Sequence, residues 1–112
     1  MTDKAYDLTQ LRELASGNDE FVESMIETFL EHTPGQLQEM LTAYDTNDLA
    51  TVGAIAHKIK PNIELFGIYK ITGDIRVAED KGKKGVNDEG LKDSLMKVKT
   101  YLNEVFNQLQ QR

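Results

Sequence analysis

With no cysteine in its 112 residues, the chain has no thiolate nucleophile, no disulfide and no thiolate metal site, so its reactive nitrogen chemistry falls to two histidines, His32 and His57. His57 follows the apolar Ala56, and the helical period turns it roughly 100° away from the seam that Ala56 helps to form. It therefore belongs at the edge of an exposed face. Gly53, Lys60 and Glu64 stand four before, three after and seven after it, and on a helix they share its strip of surface. Gly53 leaves bare backbone beside the imidazole, where a partner can come close. Three chemistries use such a histidine. A metal site needs several converging ligands, yet His32 lies on another helix and has no companion. General acid-base catalysis needs a concave pocket, which a slender helical chain without inserted loops scarcely offers. The third is attack on phosphorus by a neutral imidazole nitrogen, with Lys60 one turn along to neutralise phosphoryl oxygens. Spacing alone leaves the plainer reading open, a surface histidine among lysines, and His32, beside Glu31, is assigned no function.

The elements that position these residues are helical throughout, since apolar side chains recur at steps of three and four and strand signals are weak. Leu8, Leu11 and Leu14 mark a short helix over about 8–15, expected as a lid over one end and closed by Ser16-Gly17. Asn18 is an N-cap for a second helix over about 19–45, with Asp19 and Glu20 in its first turn. Pro34 interrupts its hydrogen bonds, but the apolar stripe keeps phase from Val22 to Tyr44, which predicts one bent helix rather than two. Asn47 or Asp48 starts a third, about 48–66, whose seam is Leu49, Val52, Ala56, Ile59, Ile63 and Phe66, and Gly67 closes it. Ile68, Ile71, Ile75 and Ala78 mark a fourth, about 68–82, ended by a turn over Gly82 to Gly85. Leu91, Leu95, Val98, Leu102, Val105 and Leu109 mark the last, about 88–110. Four long amphipathic helices with short connections favour an all-α, antiparallel up-down four-helix bundle with a short additional N-terminal helix.

One domain accounts for the whole length. At 39% hydrophobic and 29% charged residues the composition is that of a soluble protein, and no apolar run reaches the roughly 20 residues needed to span a bilayer. The stretch Met1 to Asp7 is polar and lacks the features of a secretory signal, so a cytoplasmic location is expected. A net charge of −6 argues against nucleic acid. The basic cluster Lys81, Lys83 and Lys84 reads as a solvated turn between helices. Gly82-Lys83-Lys84-Gly85 lacks the spacing and preceding strand of a phosphate-binding loop, so no ATP site is expected. The apolar stripes are of a width that one core consumes, which favours a monomer.

The stretch from Ala56 to Ile68, with His57, Lys60 and Gly67 in an Ala-His-x-x-Lys frame, resembles the signature of the histidine-containing phosphotransfer (HPt) domain family. Phe29-Leu30 followed by Pro34, and Asn47-Asp48 leading into the histidine helix, are similar to the same family, so the likeness extends over essentially the whole chain. The resemblance implies that His57 accepts a phosphoryl group from the aspartate of one response-regulator receiver domain and passes it to another, in phosphorelays that include hybrid sensor kinases. It implies that Lys60 steadies the phosphate, that Glu79 faces the imidazole and fixes its tautomer, and that Arg76 lies beside the phosphate. Gly53, Pro61, Glu64 and Gly67 would line the partner-docking face. The chain would hold no cofactor, magnesium coming with the receiver. Many relatives of this kind have glycine where Pro61 stands; proline is bulkier, deletes the amide that bonds the carbonyl of His57 and predicts a bend at the nucleophile. An alternative of another class is an interaction bundle that docks a receiver or kinase without taking phosphate.

Overall fold

The structure, a computed structural model, describes residues 4–112; the first three residues of the polar N-terminal stretch lie outside that range. The described chain is all-helical and contains no strand. It comprises α1 (Thr9–Leu14), α2 (Asp19–Asp45), α3 (Leu49–Leu65), a 3-10 turn (Tyr69–Ile71), α4 (Thr72–Lys84) and α5 (Glu89–Gln110). No described helix is long and apolar enough to cross a membrane.

Side chains and glycines set the helix limits. The carboxamide of Asn18 and the carboxylates of Asp48 and Asp88 accept the N–H of Phe21, Thr51 and Leu91, satisfying a donor that each helix start leaves free. At the other ends the chain turns through a left-handed residue. Asn47 (φ 58°) ends α2, Gly67 (φ 60°) ends α3 and Gly85 (φ 69°) ends α4. Beyond each, an N–H reaches back to the last turn: Asp48 to the Ala43 carbonyl at 2.8 Å, Ile68 to Ile63 at 3.0 Å, Val86 to Lys81 at 2.9 Å. α2 and α3 run on without interruption through Pro34 and Pro61.

The fourth helix departs from the sequence expectation at both limits. Its start is a 3-10 turn, and Gly82, expected in a loop, is helical and buried. The cluster Lys81, Lys83 and Lys84 accordingly lies on the last turn of α4 rather than in a turn between helices; Lys83 and Lys84 are solvent-exposed, and the three ammonium groups pair with Asp88, Glu79 and Asp80.

α2 packs on α3, α3 on α4, α4 on α5 and α5 back on α2, around one shared apolar core. Phe29 of α2 stacks on Phe66 at 4.4 Å and leans on Phe106 of α5 at 5.7 Å. Ile59, Ile63, Ile75, Leu95 and Leu102 are buried with them, each contributing about 2 kcal/mol by leaving water. Ala5 and Tyr6 are buried as well. The segment before α1 is tied down by the Asp7 N–H on the Phe66 carbonyl at 3.0 Å and by the Ala5 N–H on Gln108 Oε1 at 2.7 Å. α2 carries seven carboxylates and no lysine or arginine.

α3 and α4 meet backbone to backbone at two glycines. A Cβ on Gly82 would lie 2.4 Å from the nitrogen of Gly53, and one on Gly53 would lie 2.9 Å from the nitrogen of Lys83. Both obstacles are backbone and neither can swing aside. Alanine in place of helical glycine ordinarily stabilises, and Gly35, with open space around it, should follow that rule by about 0.5–1 kcal/mol. Gly82→Ala should do the opposite and destabilise by about 1–3 kcal/mol. The buried hydroxyl of Thr33 has no hydrogen-bond partner among the described residues, so Thr33→Val should raise stability by about 1 kcal/mol. Urea unfolding of the three variants beside the parent protein measures all three signs.

Candidate functional site

The strip expected around His57 exists, but it is the edge along which α3 meets α4. Gly53 lies against Gly82, His57 and Lys60 reach Glu79, and Glu64 faces Arg76, so the contacts descend α4 as they ascend α3. This corrects the reading of Gly53 as bare backbone open to a partner: it is buried, because the two helices approach too closely for a side chain. Gly67 is buried as well. A Cβ there would meet the Asp7 carbonyl oxygen at 2.4 Å, since the segment before α1 crosses over the turn.

His57 projects from this edge with 63% of its side chain exposed, whereas the Glu79 side chain is 10% exposed. The imidazole Nδ1 hydrogen-bonds Glu79 Oε2. Lys60 donates to the other oxygen, Oε1, at 2.7 Å, and Lys83, one turn beyond Glu79, approaches Oε2 at 3.2 Å. One carboxylate thus holds three cationic or potentially cationic groups. The Lys60 ammonium does most to lower its pKa, followed by the His57 hydrogen bond, with Lys83 assisting; burial works the other way and loses, and the pKa falls from 4.5 to about 2. Glu79 is therefore ionised throughout the neutral range. An ionised carboxylate only accepts hydrogen bonds, so the ring carries its proton on Nδ1 and turns the lone pair of Nε2 outward as the free, basic nitrogen. Nε2 makes no hydrogen bond to any described residue.

The remaining expected residues divide. Pro61 is exposed one turn past His57. Arg76 and Glu64 are both largely exposed and pair with each other at 3.6 Å, a surface contact worth about 0–1 kcal/mol. Arg76 is thus engaged with Glu64. His32 is exposed on α2, away from these contacts. Lys83 was missed as a site residue because its neighbours Gly82 and Gly85 suggested a turn; its place four residues after Glu79 was the available signal.

An open hollow of about 850 Å³ is bordered by Tyr6, Asp7, Arg12, Gly67, Tyr69 and Tyr101, and His57, Lys60 and Glu79 do not border it. The site is a projecting side chain, suited to being reached by a large partner. No family of known sequences, no curated protein and no solved structure matches this chain.

The lowered Glu79 pKa links the site to acid stability. Because the folded value lies below the unfolded one, the stabilisation is complete above pH 4.5 and disappears as pH falls toward 2. Glu79→Gln, which removes the charge, should cost about 1–3 kcal/mol at pH 7 and show a shallower loss of stability across that window. Urea midpoints at half-unit pH intervals measure both slopes; parallel curves would mean that the carboxylate is not held by its cations.

Proposed function

We propose that the chain is an antiparallel up-down four-helix bundle of α2–α5, with α1 as an additional short helix, that carries a phosphoryl group on His57. In this reading it takes the group from the phosphoaspartate of one response-regulator receiver domain and yields it to another, as in the HPt family whose motif it resembles. The observation that supports it most is the exposed imidazole held through Nδ1 by a buried, ionised Glu79.

The chemistry follows from that hydrogen bond. The Nε2 lone pair attacks phosphorus, the N–P bond forms, the bond from phosphorus to the aspartyl oxygen breaks, and the receiver carboxylate leaves. No proton need move. The phosphorylated ring, still protonated at Nδ1, becomes a cation, and Glu79 lies against it to stabilise the charge as it develops. The reverse attack by a second receiver's aspartate returns the ring to neutrality. Lys60 retains ammonium donors beyond the one given to Glu79, and these can meet phosphoryl oxygens. The chain needs no nucleotide site of its own for this role, since the phosphoryl group arrives already bonded to the receiver aspartate. It acts as a phosphocarrier rather than a kinase, and the magnesium belongs to the receiver.

The test uses purified receiver domains phosphorylated with acetyl phosphate and magnesium. Wild-type chain should acquire an alkali-stable, acid-labile phosphate, absent from His57→Gln, and Lys60→Ala should slow its appearance by about 100-fold. Receivers that bind the chain yet leave it unlabelled would point to the docking module instead, and the absence of label from every receiver tried would overturn the carrier reading.

A further inference from the structure

Proline has no N–H, so each proline within a helix leaves the carbonyl four residues earlier without its helical partner. α2 and α3 contain one such carbonyl each, that of Leu30 below Pro34 and that of His57 below Pro61. Their surroundings differ. Leu30 is half-buried, whereas His57 and Pro61 are exposed on the outer face of α3 together with Ala50, Ala54 and Lys58. Elsewhere in the chain side chains donate to helix carbonyls: the Thr28 hydroxyl reaches Ser24, the Thr46 hydroxyl reaches Ala43 and Arg112 reaches Leu109. No described side chain donates to the carbonyl of His57. The residue that bears the exposed imidazole therefore also bears a main-chain acceptor deprived of its regular helical donor, directed along the helix toward the ring of Pro61.

We propose that this carbonyl is a partner-selecting contact: the receiver domain that serves His57 places a hydrogen-bond donor, an N–H or O–H group, on the oxygen that Pro61 leaves free. The inference rests on the phosphocarrier reading and adds to it what distinguishes one receiver from another. Any protein that covers the outer face of α3 strips water from that oxygen. One that brings a donor replaces the lost bond, and one that does not leaves a desolvated acceptor unpaired, an asymmetry of about tenfold in affinity or more. Discrimination of this kind works by penalising the wrong partner rather than by strengthening the right one. Pro61 is a positioning residue here, acting through a carbonyl that it does not touch with any polar atom.

The experiment compares three chains: wild type, Pro61→Ala, and a semisynthetic chain with N-methylalanine at 61. Alanine restores the N–H, which takes up the His57 carbonyl; N-methylalanine removes the proline ring but still lacks the N–H. Each is titrated with receiver domains phosphorylated with acetyl phosphate, and transfer is followed by rapid quench. For the receiver with the lowest half-saturating concentration on wild type, Pro61→Ala should raise that concentration about tenfold while the rate at saturation stays within twofold, and N-methylalanine should behave as wild type. A higher melting temperature for Pro61→Ala, expected from its better helix propensity, excludes misfolding as the cause. Three results would overturn the inference: an unchanged half-saturating concentration in Pro61→Ala, a change confined to the rate at saturation, or N-methylalanine behaving as alanine, which would assign the effect to the ring. If wild type itself takes no phosphate from any receiver, the carrier reading fails first and this one with it; if wild type is labelled and Pro61→Ala is indistinguishable, only the carbonyl contact fails.

Discussion

Backbone against backbone at Gly53 and Gly82 sets how near α3 and α4 lie, and the site inherits that separation. His57 is one turn along α3 from the contact, and Glu79 is one turn back along α4. With the helices this close, a glutamate side chain spans from one helix to a ring on the other. Larger residues at either glycine would part the helices and draw the carboxylate off the ring. The hydrogen bond that orients the imidazole is therefore a consequence of two absent side chains.

Burial of Glu79 would be unfavourable alone, since removing a carboxylate from water costs several kcal/mol without compensation. Its three partners reverse the balance, and the depressed pKa is the measure of that reversal. The arrangement divides labour by exposure. The anion that orients is nearly covered, the imidazole it orients is open to solvent, and the lysines lie between, so the orienting bond is shielded from water while the outward nitrogen is not. At the C-terminal end of α3, Phe66 stacks on Phe29 of α2, whose ring leans in turn on Phe106 of α5, so the end of the helix that bears His57 is packed into the shared core.

Much of this was legible in the residues. The period of apolar side chains located the long helices within a few positions, and Asn18, Asp48 and Gly67 marked limits through local hydrogen bonding that needs no tertiary context. His57 and Lys60, singled out from the motif, and Glu79, singled out through the family resemblance, do converge. The glycines were misread, and for one physical reason. A missing side chain looks the same in sequence whether it makes room for solvent, for a partner or for the chain's own backbone. Gly53 and Gly82 serve each other, and Gly67 makes room for Asp7. Lys83 was lost through the same ambiguity, because glycines on either side suggested a turn where a helix continues.

The bond from the Ala5 amide to Gln108 has a topological consequence. It places the beginning and end of the described chain side by side, so a short Gly/Ser bridge can close the backbone into a ring at that point. The ring can then be opened elsewhere, for example between Gly85 and Asp88, giving a circular permutant whose new ends emerge at the opposite pole while the order of contacts around His57 is unchanged.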